Sequence, residues 1–359
     1  MRETGTSSSC LGMLGAEPLP GAWHAVSAPV TSCSALSIDR PGVSGKYTCA
    51  AARAAHPARS APAEFRLEDA DGGCSLQGGE RDFLNAASNR TLWLAGTSMM
   101  YQVYHAIQCR LETALGTPVV AVPTPMPNGT IDVCFGEPRA NTLGFGFGTR
   151  VCFVEIQWTK DATVGKEPTA RLGTLLGTPD APRAGAARPG DVVILSMGDH
   201  FVPSALDEGE AHMRALAVQL EALRAALRGR LPTIMWRENS PQHFPTHNGV
   251  WFAGISHTKF KTWPKAPDPL HPCNASLAPE RLDAANVLNR RLEPHVRAMR
   301  LPILRVWRTL AARGVDHVGR WRPYGYDCNH QCEPSSALLF QADLMIAGAA
   351  AAFPRSAPV

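Results

Sequence analysis

The sequence has no long apolar run, few aromatic residues and little charge for its length. Of its 359 residues, 18% are charged and 7% aromatic, and the net charge is +4. The most apolar stretch, 338–353, is shorter than a membrane-spanning helix and contains Gln341 and Asp343. No basic run is interleaved with aromatic residues. We therefore expect neither a membrane span in this chain nor a nucleic-acid partner.

Two further motifs are missing. Residues 1–20 lack the basic start and the apolar segment of a secretory signal peptide. No Cys-x-x-Cys occurs, which argues against a zinc ribbon and against a thioredoxin-type redox site. The sequence therefore supplies neither a visible export signal nor a standard metal motif.

Cysteines and glycosylation motifs are present in number. The chain has 10 cysteines, together with Asn-x-Ser/Thr sequons at Asn89, Asn128 and Asn274. Both features are typical of an oxidising compartment. We predict a Golgi-lumenal or secreted protein, which assumes an N-terminal start other than the one in this sequence.

The composition changes near residue 90. Residues 1–90 are rich in Ser, Gly, Pro and Ala and contain four cysteines, which predicts an irregular, disulfide-pinned lead-in packed on a catalytic domain at 91–359. From Thr91 onwards, apolar strands alternate with amphipathic helices, and this alternation predicts an α/β fold with an open, mainly parallel sheet. The predicted strands are 91–95, 118–122, 151–158, 191–197, 233–236 and 303–307, and the predicted helices are 99–115, 204–229 and 279–299; residues 160–190 are predicted to form a surface excursion.

Ser98 follows the first of these strands and begins a helix. Ligands of open α/β sheets bind beyond the carboxyl ends of the strands, so a serine at this point is a candidate nucleophile. The helix N–H groups beside it would stabilise an oxyanion. The alternative is that Ser98 only caps the helix.

Asp327 and His330 are the candidate acid and base for this nucleophile. Their side chains are three residues apart, which lets them hydrogen-bond within a turn. The alternatives are a solvated loop with a capping Asp, or a zinc site made by Cys328, His330 and Cys332.

Two more segments follow strands and carry polar residues. Gly198 permits close approach of the backbone, and His200 lies beside it. Arg237 could bind a polar substrate group or brace its own loop. Either His200 or His243 could replace His330 as the base.

The order of these motifs resembles the PC-esterase branch of the SGNH/GDSL superfamily. In chain order, the motifs are Gly-x-Ser, Gly-Asp-His, Arg-x-x-Ser-Pro-x-His-Phe and Asp-Cys-x-His-x-Cys, and the last of these, Asp327-Cys-Asn-His-Gln-Cys332, is the most specific. The branch includes the trichome-birefringence-like polysaccharide O-acetyltransferases and the NXPE-type domains. Gly96-Thr97-Ser98 stands where the family has Gly-Asp-Ser.

The resemblance implies a three-layer α/β/α sandwich of flavodoxin-like type. It implies Ser98 as nucleophile, His330 as base and Asp327 as its orienting acid. Around the oxyanion and the substrate, our own candidates are Gly198, His200, Arg237 and His243. The disulfides implied or suggested by position are Cys273–Cys328, Cys49–Cys332, Cys33–Cys109, Cys10–Cys74 and Cys134–Cys152. These pairs would use the sulfurs that a zinc site needs, so we expect no metal.

The predicted activity is O-acyl transfer through an acyl-enzyme on Ser98. The expected partners are an acyl donor of unidentified type and a polysaccharide or glycan hydroxyl as acceptor, with no bound cofactor. One alternative is a carbohydrate acyl esterase that uses the same triad with water as the acceptor. The other is a catalytically weak or inactive carbohydrate-binding domain, which the threonine at position 97 keeps open.

Overall fold

The computed structural model describes residues 6–26, 62–67, 74, 76, 78–122, 133–136, 148–156, 168–197, 206–228, 230–244, 273–321, 325–333 and 335–354. Within these ranges, three sheets are formed, and the largest has seven strands. Its strands are β3 (Thr91–Gly96), β4 (Val120–Val122), β5 (Val133–Gly136), β6 (Arg150–Glu155), β7 (Val192–Leu195), β8 (Thr233–Arg237) and β9 (Ile303–Leu304).

The strands of the large sheet lie in the order β4-β5-β6-β3-β7-β8-β9. Five strands, β6, β3, β7, β8 and β9, run parallel to one another, and β5 and β4 extend the sheet beyond β6 in antiparallel pairing. The prediction of a mainly parallel sheet is therefore confirmed. β5 was not predicted, and β9 is shorter than expected because Trp307 begins a short helix instead of ending a strand.

Helices cover both faces of this sheet. Among the described residues, the helices longer than eight residues are α1 (Thr6–Leu14), α3 (Ser98–Leu115), α4 (Pro168–Leu176), α5 (Leu206–Ala226), α7 (Val287–Ala298) and α9 (Ser336–Ala352); the shorter ones are α2 (Gly79–Ala86), α6 (Leu282–Ala285) and α8 (Trp307–Leu310). Along β3, Leu92 and Leu94 join the apolar cluster under α3 and α9, whereas Trp93 and Ala95 join the cluster under α5 and α7. This alternation is that of a strand buried on both faces, and the predicted α/β sandwich is confirmed.

α9 lies at the centre of one helical layer and packs against α1, α2 and α3. Its residues from Ala337 to Ala349 are all buried, and Ser335 caps it by accepting a hydrogen bond from the Leu338 N–H. It has no polar face because it is surrounded by protein on every side. No helix in the described ranges is long and apolar enough to cross a membrane.

The described part of residues 1–90 contains two strands and two helices, together with the predicted Cys10–Cys74 disulfide. β1 (Gly21–Ala25) and β2 (Ala63–Leu67) form an antiparallel pair; along the chain, α1 precedes this pair and α2 follows it. Trp23, Phe65 and Phe340 of α9 pack edge to face around one point, which joins this segment to the main core. The division of the chain at residue 90 stays a prediction.

Residues 160–190 are not only a surface excursion. α4 occupies Pro168–Leu176, and its Leu172, Leu175 and Leu176 are buried against the sheet. The sequence did not predict this short apolar face because the residues that follow α4 are mostly Gly, Pro and Ala.

A separate antiparallel pair of strands lies beside the large sheet. β10 (His317–Trp321) pairs with β11 (Gly325–Gln331), and Gly319 lies opposite Asp327. Asp327 and His330 were predicted to lie in a turn, but they belong to β11.

Candidate active site

Ser98 is the first residue of α3, immediately beyond the carboxyl end of β3. Gly96 ends β3 where the chain comes very close to its neighbours: a Cβ there would lie 2.8 Å from the Ser196 carbonyl oxygen and 2.9 Å from the Met100 Cβ. Thr97 is extended and makes no side-chain capping hydrogen bond to α3. The N–H groups of the first turn of a helix have no intrahelical partner, so the Ser98 hydroxyl lies beside backbone donors that α3 itself does not use.

The β11 backbone bends around the Asp327 carboxylate. Asp327 Oδ1 accepts hydrogen bonds from the N–H groups of Asn329 (3.1 Å) and His330 (2.8 Å). These bonds turn the chain so that the His330 ring comes back to the other carboxylate oxygen. A spacing of three residues therefore suffices for an acid and a base on one strand.

The three side chains are connected in one line. His330 Nδ1 lies 2.7 Å from Asp327 Oδ2, and His330 Nε2 lies 2.7 Å from Ser98 Oγ. With the proton on Nδ1, the imidazole donates to the carboxylate, and its Nε2 lone pair accepts the Ser98 hydroxyl. Asp327 is buried, whereas Ser98 and His330 are only partly buried and reach the surface.

The Asp327 carboxyl keeps its charge. Burial opposes ionisation, but the positive charge of a protonated His330 and the hydrogen bonds from His330 and Asn329 outweigh it and hold the pKa of Asp327 below its ordinary value. An ionised Asp327 fixes the orientation of the imidazole and stabilises its protonated form.

Disulfides hold β11 on both sides of His330. Cys328 is bonded to Cys273, and Cys332 is also disulfide-bonded. Cys10–Cys74 and Cys134–Cys152 are bonded as well, and Cys109 is disulfide-bonded. The expected partners of Cys332 and Cys109, which are Cys49 and Cys33, lie outside the described residues. Cys328 and Cys332 therefore have no thiolate for the zinc site considered above.

Gln102 is a site residue that the sequence did not indicate. Its carboxamide donates to the Gln331 carbonyl oxygen (2.7 Å) and accepts from the Gln331 N–H (3.1 Å). Gln102 follows Ser98 by one turn of α3, so one helix carries the serine and grips the residue after His330. The only available signal was a glutamine among the apolar residues of that helix face.

Arg237 does not line an open groove. It is fully buried and donates to Ser196 Oγ (3.1 Å), Ser240 Oγ (2.5 Å) and Gln341 Oε1. Gln341 in turn donates to Gln331 Oε1 (2.8 Å). Of the two roles considered for Arg237, these contacts match bracing, and contact with a substrate stays a prediction.

His330, and not His243, is the histidine that contacts Ser98 in the structure. His243 is 1% exposed, and its ring nitrogens face His317 Nε2 (2.7 Å) and the Ala311 carbonyl oxygen (2.9 Å). Ser98 instead meets His330. Gly198 and His200 lie outside the described residues.

The sequons differ in their surroundings. Asn89 is exposed in the turn before β3. The Asn274 carboxamide is partly buried and donates to the Phe244 carbonyl oxygen (2.8 Å). Asn128 lies outside the described residues, and glycosylation of all three stays a prediction.

One acidic cluster among the described residues has the spacing of a metal site. It consists of Glu17, Glu238 and Glu293. The guanidinium of Arg305 lies among them, at 3.3, 2.7 and 2.6 Å respectively. The cluster is thus an ion-pair network around an arginine.

No protein-family model matches this chain, and no curated protein matches it either. Among solved structures, it is similar to the periplasmic domain of a lipopolysaccharide acetyltransferase from Salmonella ser. Paratyphi A, at 10% identity and a TM-score of 0.37, over 73% of this chain and 85% of that one. A TM-score of this size carries no argument about fold or activity. The resemblance to the PC-esterase branch therefore stays a prediction.

Proposed function

We propose that this protein is a serine-dependent acyltransferase that moves an acyl group from a donor to a sugar hydroxyl through an acyl-enzyme on Ser98. The observation that carries the proposal is the continuous connection from Asp327 through His330 to Ser98. A buried carboxylate, an imidazole oriented by it and a serine at a helix start are the parts that acyl transfer requires.

The first half-reaction acylates Ser98. His330 Nε2 takes the hydroxyl proton while Ser98 Oγ forms a bond to the donor's carbonyl carbon. Negative charge then builds on the carbonyl oxygen, where the Ser98 N–H and the Gly198 N–H are our candidate donors. The bond to the leaving group breaks, and His330 returns the proton to that group.

The second half-reaction transfers the acyl group. His330 takes a proton from the acceptor hydroxyl, whose oxygen attacks the acyl carbon. The bond to Ser98 Oγ then breaks, and the serine recovers its proton from His330. Water in place of the sugar would make the protein an esterase. The three disulfides among the described residues support a lumenal or secreted location.

Labelling with a fluorophosphonate tests the nucleophile. We expect labelling of the wild-type protein, loss of labelling in Ser98→Ala, and retention in Ser88→Ala, which changes a serine in the turn before β3. An unlabelled wild-type protein would favour the non-catalytic carbohydrate-binding domain.

A second measurement separates transfer from hydrolysis. An acetyl ester and an oligosaccharide are supplied together, and the products are analysed by mass spectrometry. Acetylated sugar that depends on Ser98 supports the transferase, whereas free acetate alone, at a rate independent of the sugar, shows an esterase.

A further inference from the structure

Behind His330 lies a row of hydrogen bonds that these catalytic steps do not use. His317 Nδ1 lies 3.1 Å from the carbonyl oxygen of His330, and His317 Nε2 lies 2.7 Å from His243 Nδ1. At the far end, His243 Nε2 lies 2.9 Å from the Ala311 carbonyl oxygen. Both histidines are 1% exposed. The row therefore links two backbone carbonyls through two buried imidazoles.

The contacts at the two ends fix where two protons lie. A carbonyl oxygen only accepts hydrogen bonds, so His243 Nε2 and His317 Nδ1 must both carry hydrogen. Two neutral imidazoles have no further proton, which would leave two bare lone pairs facing each other 2.7 Å apart. A hydrogen bond between the rings needs a third proton.

We infer that His243 and His317 share a third proton, so that the two rings together carry one positive charge. This pair holds the carbonyl group of His330, which makes His317 a positioning residue for the base. The positioning role rests on the proposed function of His330, whereas the proton count does not. The pair does not touch the reacting atoms.

The surroundings fix the position of the pair. Gly314 lies against the His243 ring, and a Cβ there would be 2.6 Å from His243 Cδ2. On the other side, the His243 N–H donates to the Cys328 carbonyl oxygen (3.0 Å), next to Asp327. The ring and the backbone of His243 are thus both held against β11 and its neighbours.

Charged groups lie on the elements around the pair. Arg313 and Asp316, on the turn before β10, form a bidentate ion pair with each other. β11 brings the ionised Asp327 next to the backbone contact of His243. Further titratable side chains that the structure describes on these segments are His330, Glu333 and Glu238. Glu238 forms an ion pair with Arg305 (2.7 Å). Asp327 thus supplies a carboxylate of opposite charge on the strand that pairs with the strand of His317.

Nitrogen-15 NMR of the histidine rings tests the proton count. The Ser98→Ala protein is used, so that the result does not depend on activity, and His243→Gln and His317→Gln assign the signals. We expect three protonated nitrogens from the two rings at neutral pH, with the exposed His24 as an internal reference. Two protonated nitrogens would show a neutral pair and overturn the inference.

Isosteric variants test the positioning role. The amide nitrogen of an asparagine at 317 takes the place of Nδ1 and still donates to the His330 carbonyl, whereas that of a glutamine takes the place of Nε2. We expect His317→Asn to label with fluorophosphonate within about threefold of wild type and His317→Gln to label about tenfold more slowly. His212→Gln, on the surface of α5, is the matched control.

Failure of the positioning role of His317 and failure of the proposed function would give different results. Equal labelling of both folded variants, checked by circular dichroism, would refute the positioning role of His317. Absence of labelling in the wild-type protein would refute the proposed function, while the NMR measurement still decides whether the pair is charged.

Discussion

At the scale of single residues, Gln102 offers the sharpest test of how His330 is held. Gln102→Ala removes both hydrogen bonds to the Gln331 backbone and leaves a buried N–H and a buried C=O unsatisfied. Each such loss costs about 1–3 kcal/mol. We expect the free energy of unfolding to fall by about 2–4 kcal/mol and the labelling rate of Ser98 to fall by about tenfold or more.

Gln108 on the same helix gives the control for this prediction. It is partly buried, and among the described residues its carboxamide donates to Glu112 of its own helix (3.1 Å). Gln108→Ala is expected to change the free energy of unfolding by less than about 0.5 kcal/mol and to label at the wild-type rate. Equal effects of the two alanine variants would show that Gln102 has no special part in the site.

Gly96 is required where β3, β7 and α3 meet. An alanine Cβ would overlap the Ser196 carbonyl oxygen and Met100, so the backbone that leads into Ser98 must shift. We expect Gly96→Ala to lower the free energy of unfolding by about 1–3 kcal/mol and to slow labelling. Gly12→Ala is the control, because a Cβ there meets nothing within 4 Å and alanine favours a helix. Wild-type stability and labelling in Gly96→Ala would contradict the close packing.

Residue roles could be predicted where the chain order fixes the position. Ser98 follows a strand end, and Asp327 and His330 have chemically suited side chains, so their meeting could be predicted. Gln102 and His317 act on backbone groups of residues far away in the chain, which no local pattern shows. Arg237 was open to two interpretations because a sequence does not show that a guanidinium is fully buried.

At the scale of elements, the position of β11 depends on the Cys273–Cys328 disulfide. Cys273 and Cys328 are 55 residues apart, and closing a loop of that length stabilises a fold by about 2–4 kcal/mol. The double variant Cys273→Ala/Cys328→Ala is expected to lose that much stability and to label Ser98 more slowly while still folded. Thermal unfolding and labelling at a low temperature measure the two effects.

The disulfide between β5 and β6 is the matched control for Cys273–Cys328. Cys134→Ala/Cys152→Ala also removes a bond, across 18 residues, but the bond joins strands that carry none of the three connected side chains. Stability should fall by a similar amount, with no change in the labelling rate. Slower labelling in both double variants would show that the effect of Cys273–Cys328 is not local.

A buried ion pair between α3 and α9 predicts a pH dependence of stability. Arg110 Nη2 lies 2.5 Å from Asp343 Oδ2, while Asp343 Oδ1 is buried without a hydrogen-bond partner in the described residues. Burial raises the pKa of Asp343 from 3.8 to about 7, with Glu80 and Glu64 adding to the rise and Arg110 opposing it. The folded state therefore binds this proton more tightly than the unfolded state.

Because of this difference, protonation of Asp343 stabilises the folded protein, and a rise in pH destabilises it. Stability is greatest below pH 4 as far as this group is concerned, and it falls as the pH rises to about 7, by on the order of 4 kcal/mol. Denaturant unfolding at a series of pH values should show this slope, and Asp343→Asn should remove it. Asp180→Asn, at an exposed position, should keep it. An unchanged slope in Asp343→Asn would refute the assignment.

Elements could be predicted where their apolar pattern is local. β3 and β7 are runs of apolar residues between turn signals, and α5 has a one-sided stripe. α9 is apolar all around because protein surrounds it, so it shows no periodicity to detect. α4 and β5 are short, and their apolar residues are fixed by neighbours far away in the chain.

At the scale of the whole molecule, the fold class followed from the alternation of strands and helices, but the placement of the site did not. Parallel strands put the carboxyl ends of β3, β7 and β8 at one edge of the sheet, and Ser98 and the segments after β7 and β8 all begin at that edge. The β10–β11 pair is not part of the large sheet, so its arrival at that edge depends on contacts with α3. Long-range contacts of this kind leave no pattern in the sequence.

The central position of α9 has a consequence for synthesis of the chain. All the strands of the large sheet, from residue 91 to residue 304, leave the ribosome before the helix that covers the middle of one sheet face. The part of that face that lies under α9 therefore stays uncovered until residues 336–352 have emerged, and only then can Gln341 of α9 donate to Gln331, the residue after His330. A nascent chain that is halted before residue 336 should bind chaperones through its open apolar face and show no labelling of Ser98.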